Sequence, residues 1–108
     1  GWLASVVKIR REHEDDPAKA IEAAFRGHPS MKSVTVVDED IDITDPTSVE
    51  WAMMTRWQPD RDTIILRDQR GSSLDPSRYE DGRTSKVGFD ATIPWGAERS
   101  AFATVQRP

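Results

Sequence analysis

Val34-Thr35-Val36-Val37-Asp38-Glu39-Asp40-Ile41-Asp42 decides the fold. Its first four residues are an unbroken apolar and β-branched run. That is too short for a helix and too apolar for a half-exposed strand, so it reads as a strand covered on both faces. The acids that follow end it. On either side lies a helix-length segment that opens on Asp-Pro. In the first, Asp16 is the expected N-cap and Pro17 the first helical residue. Ala18, Ile21, Ala24 and Phe25 recur at helical spacing and make its inner face. Gly27 is expected at the C′ position, and Pro29 prevents the helix from resuming.

The second helix opens on Asp45-Pro46, or on a capping box of Thr47 and Glu50. Val49, Ala52, Met53 and Trp57 share one face, with Trp51 and Met54 elsewhere, so cover on more than one side is expected. Gln58-Pro59 stops it. Farther out, Trp2-Leu3-Ala4-Ser5-Val6-Val7-Lys8-Ile9 reads as a strand buried on both faces, and Thr63-Ile64-Ile65-Leu66 as a third, short strand. The pattern is an α/β fold with a β-α-β-α-β core and a mainly parallel sheet. One domain is expected over residues 1–108, with its core at about 2–67. A long polar loop (residues 68–85) and an extended tail (86–108) follow.

Bulk properties narrow the partners. The net charge of −4 gives no basic face for a phosphate backbone, so nucleic acid is not expected. The absence of cysteine removes disulfides and thiolate chemistry and fits a reducing, cytoplasmic setting. No apolar run is long enough for a transmembrane segment. The chain begins at Gly1, directly before a buried strand, so it is expected to be a piece of a longer chain that continues upstream.

Chemistry is sparse. Asp38, Asp40 and Asp42 alternate at a strand end, as ligands of a hard cation would. An EF-hand would need glycine and glutamate where Ile43 and Val49 stand, so these acids are expected to pair with Arg56 or Arg61 and to hold no metal. His13 and His28 read as solvated loop residues, and Lys8 as a lysine reaching out from a strand end. Gly71-Ser72-Ser73-Leu74-Asp75 lacks the spacing and the lysine of a phosphate-binding P-loop. The four tryptophans read as core or interface anchors. The loop is expected to follow a parallel strand directly and so to lie at the carboxyl ends of the strands, where α/β folds place ligand contacts. Arg67 and Arg70 are then candidates to meet a carboxylate or phosphate, and Ser72 and Ser73 to meet a polar substrate end.

Several motifs in one order resemble the C-terminal segment of the UbiD family. They are Lys32 to Asp42 as a block, Asp45-Pro46, Val49-Glu50-Trp51-Ala52, Thr55-Arg56, Arg61-Asp62, Ser73-Leu74-Asp75-Pro76 and Asp90-Ala91-Thr92. Together they cover the chain from about Trp2 to Thr92. The resemblance implies a carboxy-lyase acting without net oxidation on aromatic or α,β-unsaturated acids. Its cofactor would be prenylated FMN, held with a divalent metal and potassium on a domain upstream and supplied by a flavin prenyltransferase.

The family's catalytic arginine and two acids lie on that upstream domain, so no catalytic, cofactor-binding or metal-binding residue is expected here. The segment would act as a lid and assembly domain in a homo-oligomer, inactive alone. The wording of the glycine-serine loop resembles archaeal members, some of which act on anhydromevalonate phosphate; a hydroxybenzoate-type substrate of ubiquinone synthesis is the other expectation. The rival readings are a pure oligomerisation module and a receiver-like signalling domain. The second would need a lysine that does not occur between Lys32 and Lys86.

Overall fold

The computed structural model describes residues 3–102. A four-stranded sheet carries one helix on each face. In chain order the elements are β1 (Ala4–Ile9), α1 (Asp16–Gly27), β2 (Ser33–Asp38), α2 (Pro46–Arg56), β3 (Thr63–Arg70), β4 (Arg83–Ala91) and a short 3-10 turn at Arg99–Phe102. Across the sheet the order is β1-β2-β4-β3. β1 and β2 are parallel, as are β2 and β4, while β3 runs antiparallel to β4. The mainly parallel α/β expectation holds.

β2 lies inside the sheet, and alternate side chains go to opposite faces. Val34 and Val36 meet Ile21 and Phe25 of α1, joined by Val7, Ile9, Ile64 and Leu66 from the neighbouring strands. Val37 faces the other way and packs with Ile41, Ala91 and Ala52 of α2. Trp57 of that second cluster meets Phe89 edge-on at 5.6 Å and donates its indole N–H to Thr63. Two small cores separated by the sheet hold the fold together, and each contains fully buried valine from β2.

Several boundaries differ from the sequence reading. Residues 83–91 are a strand inside the sheet, not loop and tail. β4 hides because its α1-facing positions are Thr84, Lys86, Gly88 and Asp90, which carry none of the apolar alternation that marks a strand. The second parallel partner of β2, beside β1, is therefore β4 and not β3, and β3 is an antiparallel edge strand. β3 also runs on to Arg70, past an irregularity between Leu66 and Gln69 where Asp68 has φ of 53°. β1 lies at the other edge and is half-buried, not covered on both faces.

Asp15, not Asp16, occupies the N-cap of α1. Asp16 instead accepts the amide N–H groups of Glu12 and His13, bonds that hold its carboxyl below the usual range. Gly27 is the last helical residue and not a left-handed C′ glycine; the N–H of His28 closes the helix on the Ala24 carbonyl. Asp45 does cap α2, accepting the Thr47 N–H at 3.0 Å. Trp2 and Val105, expected in the first strand and the tail, lie outside the described residues.

Candidate functional site

The sheet offers two ends. At the carboxyl ends of β1, β2 and β4, charges are numerous and largely paired with one another, although Arg56 Nε is buried without a hydrogen-bond partner. Arg56, 2% exposed, sets one guanidinium nitrogen 2.9 Å from Asp38. Both its terminal nitrogens also reach Asp40, and one donates to the Phe102 carbonyl. Burial opposes the charge on Arg56, but hydrogen bonds and attraction from Asp40 and Asp38 outweigh it and raise its pKa above the ordinary range. The same bond lowers the pKa of Asp40. Asp38 accepts the Ile93 N–H as well.

Arg11 completes this end. It donates to the Thr92 hydroxyl and the Ile93 and Glu14 carbonyls and lies over the Trp95 ring. Burial raises the pKa of Asp90, 4.0 Å from Arg11, against the pull of the Thr92 bonds. Asp38 and Asp40 are thus arginine partners, as their sequence position implies. Asp42 accepts the Thr44 N–H and hydroxyl. Thr92, Ile93 and Phe102 of the segment after β4 bond to this end, beside a smaller cavity of about 280 Å³ lined by Ile9, Arg10, Arg11, Asp38, Glu39 and Arg99.

The opposite end is open. Because β3 is antiparallel, the β3–β4 connection emerges beside the amino ends of β2 and β4. This corrects the expectation that the loop lies at the carboxyl ends of parallel strands. Between this hairpin and the turn after α1 is a cleft of about 720 Å³, within the range of small-molecule sites. Pro29 and Ser30 form one wall; Arg70, Gly71, Ser72, Ser73, Arg78 and Arg83 form much of the other, and Asp81 is the one carboxylate in the lining. Three of the four residues singled out from the sequence, Arg70, Ser72 and Ser73, converge here. Arg67 does not; it is exposed on β3 before the strand's irregularity. Arg78 and Arg83 escaped sequence reasoning because their place in the cleft depends on the unrecognised β4.

The hairpin is knitted to itself. The Gly71 N–H donates to the Gly82 carbonyl and the Tyr79 N–H to the Arg83 carbonyl, each at 2.8 Å. Asp75, 5% exposed, accepts both the N–H and the hydroxyl of Ser77. Lys32, just before β2, stands 2.9 Å from the other Asp75 oxygen and donates to the Ser77 hydroxyl. The Ser77 hydroxyl bond foremost, then Lys32, lowers the Asp75 pKa to about 2. The facing wall is anchored too: Lys86, its ammonium pKa lowered by burial, donates to the Pro29 carbonyl.

Residues 1–91 match the family model described as the 3-octaprenyl-4-hydroxybenzoate carboxy-lyase C-terminal domain, UbiD_C. An anhydromevalonate phosphate decarboxylase of Aeropyrum pernix is 53% identical over 90% of this chain and 22% of that protein. A gallate decarboxylase of Lactiplantibacillus plantarum is 35% identical over 97% of this chain and 25% of its own. Among solved structures, the UbiD-class enzyme HmfF from Pelotomaculum thermopropionicum, in complex with FMN, superposes with a TM-score of 0.88 at 42% identity, over 98% of this chain and 24% of that one. A vanillic acid decarboxylase of Sedimentibacter hydroxybenzoicus, solved in open and closed forms, gives 0.78 and 0.75, at 27% and 28% identity; each superposition spans 95% of this chain, and 22% and 23% of that protein. The chain spans about a quarter of the length of these proteins. It belongs to the UbiD family, whose C-terminal domain it represents.

Proposed function

We propose that residues 1–108 form the closing domain of a prenylated-FMN-dependent decarboxylase that acts on a phosphorylated α,β-unsaturated acid of the anhydromevalonate phosphate kind. Supporting this choice of substrate, archaeal relatives bearing that name are 46 to 53% identical to the chain, against 35% for the gallate enzyme. The cleft agrees, since arginine and serine line it where an aromatic substrate would call for apolar walls. That lining also has no aromatic ring to stack a flavin, so the residues here do not fit the cofactor, and we place it on the upstream domain with the acid-base groups. A flavin prenyltransferase as supplier and assembly into a homo-oligomer complete the proposal.

The domain's contribution is closure. Decarboxylation gains when water is expelled from around the carboxylate and the carbanion that develops as carbon dioxide leaves, and a lid that closes does this before a positioned group supplies the proton. A two-faced sheet moves as a rigid plate and carries the hairpin with it. Arg70, Ser72 and Ser73 are then the substrate-side contacts, with Arg67 outside the cleft. The test is the full-length enzyme loaded with prenylated FMN. Carbon dioxide release from anhydromevalonate phosphate, well above that from 4-hydroxybenzoate or gallate, is the expected result. The reverse preference overturns the substrate assignment.

A further inference from the structure

We infer that the hairpin cleft is a binding site for a phosphate monoester dianion, held between Arg70 and Arg78, and that the phosphate is the substrate's remote end. The inference rests on the substrate class proposed above and adds the residues that select it.

Three guanidiniums face the cleft, and they are not equivalent. Arg83 is held by Asp68, with Nε 3.0 Å from the carboxylate and a second nitrogen on the Asp68 carbonyl. The guanidiniums of Arg70 and Arg78 have no hydrogen-bond or ion-pair partner among the described residues. Asp81, the lining's carboxylate, accepts the Arg83 backbone N–H at 2.9 Å. Two uncommitted forks lining one cleft suit a dianion, because each can give paired N–H bonds to phosphate oxygens.

The backbone presets Arg78. A Cβ on Gly71 would stand 2.7 Å from the Gly82 carbonyl, 3.2 Å from Cβ of Arg78 and 3.4 Å from its Cδ. The missing side chain at Gly71 therefore lets the hairpin backbone close and leaves room for the Arg78 stem to lie across it. Ser30 and Ser73 add hydroxyls, and the volume exceeds what a phosphate alone needs, leaving room for the carbons that carry it. The other end of such a substrate, its carboxylate, must reach the flavin on the upstream domain. Binding energy gathered at the remote phosphate can thus position the reacting end.

The experiment uses the full-length, flavin-loaded enzyme with Arg70→Gln, Arg78→Gln and Arg78→Lys. We expect KM for the phosphorylated acid to rise about 10- to 100-fold in each glutamine variant. Arg78→Lys should recover part of that loss, and flavin absorbance should match the parent. Unchanged KM overturns the inference. Flavin loss in the variants also overturns it, because the cleft would then serve the cofactor's own phosphate. A parallel arm reads hydrogen exchange over residues 70–83 while inorganic phosphate is titrated. If the enzyme proves to use an unphosphorylated acid, the substrate proposal falls. Phosphate protection that is present in the parent and absent in the variants would still uphold the cleft as a phosphate site, and no protection in the parent would sink that too.

Discussion

Ile21 of α1 lies directly on Gly88 of β4: a Cβ at Gly88 would come within 2.5 Å of Ile21 Cγ2 and 2.9 Å of its Cδ1. The helix sits where it does because β4 offers bare backbone at this point. Gly88→Ala should destabilise the fold by about 1–3 kcal/mol through overpacking, measured by chemical denaturation. Ile21→Val in the same chain should recover part of the loss, since the two residues share one contact. Strict additivity of the two changes would show that the contact is not the cause.

Arg56 is the largest fully buried side chain among the described residues, and Asp38 is its buried partner. Arg56→Ala leaves that carboxylate without its cation and should cost about 3–5 kcal/mol. Arg56→Met keeps the volume and should cost less in the double variant with Asp38→Asn than alone. Equal losses in the two backgrounds would mean that the pair is not coupled.

Acid should loosen the hairpin. The Asp75 carboxyl titrates at about 2 in the folded protein against an ordinary 3.8, so the folded state favours its charged form. Its stabilising contribution is complete above about pH 4 and fades as pH falls toward 2. Asp75→Asn should be less stable than the parent at pH 5, and the gap should narrow by pH 2.5 in denaturation measurements. A gap independent of pH would show that the Ser77 and Lys32 contacts do not act through charge.

Separated from the rest of its enzyme, the chain should release no carbon dioxide from unsaturated acids and leave the spectrum of added prenylated FMN unchanged. Turnover above background, or a flavin shift on titration, would place cofactor-binding groups in this segment.

In the full-length enzyme, amides of Ser72 and Ser73 should gain exchange protection when a substrate analogue binds. Those of Gly71, Tyr79 and Gly82, already bonded within the hairpin, should change little. No change anywhere in the hairpin, with protection gained elsewhere on closure, would leave this domain as scaffold alone.

The helices and β2 were legible in the sequence because Ile21, Phe25, Val34 and Val36 carry the period of their elements. β4 was not. Lys86 and Gly88 are poor strand residues by propensity, and each has a tertiary reason to be there: the Pro29 carbonyl for one, Ile21 for the other. Missing β4 moved the loop to the wrong end of the sheet and hid Arg78 and Arg83, although Arg70, Ser72 and Ser73 were found by their chemistry. Direction in a sheet is set by pairing, and no residue of Thr63-Ile64-Ile65-Leu66 announces whether its neighbour runs with it or against it.

The strand order also fixes when this domain takes shape on the ribosome. β4 is the last strand among the described residues yet sits between β2 and β3. Until residues 83–91 leave the exit tunnel, β2 has a bare inner edge, α1 lacks the Gly88 surface it rests on, and β3 has no partner. Before then the nascent chain has β1, α1, β2 and α2, but the β2 valines lack the cover that β4 brings. A truncation before Arg83 would remove the sheet's keystone, not a dispensable tail, and would leave an apolar strand edge open to other chains.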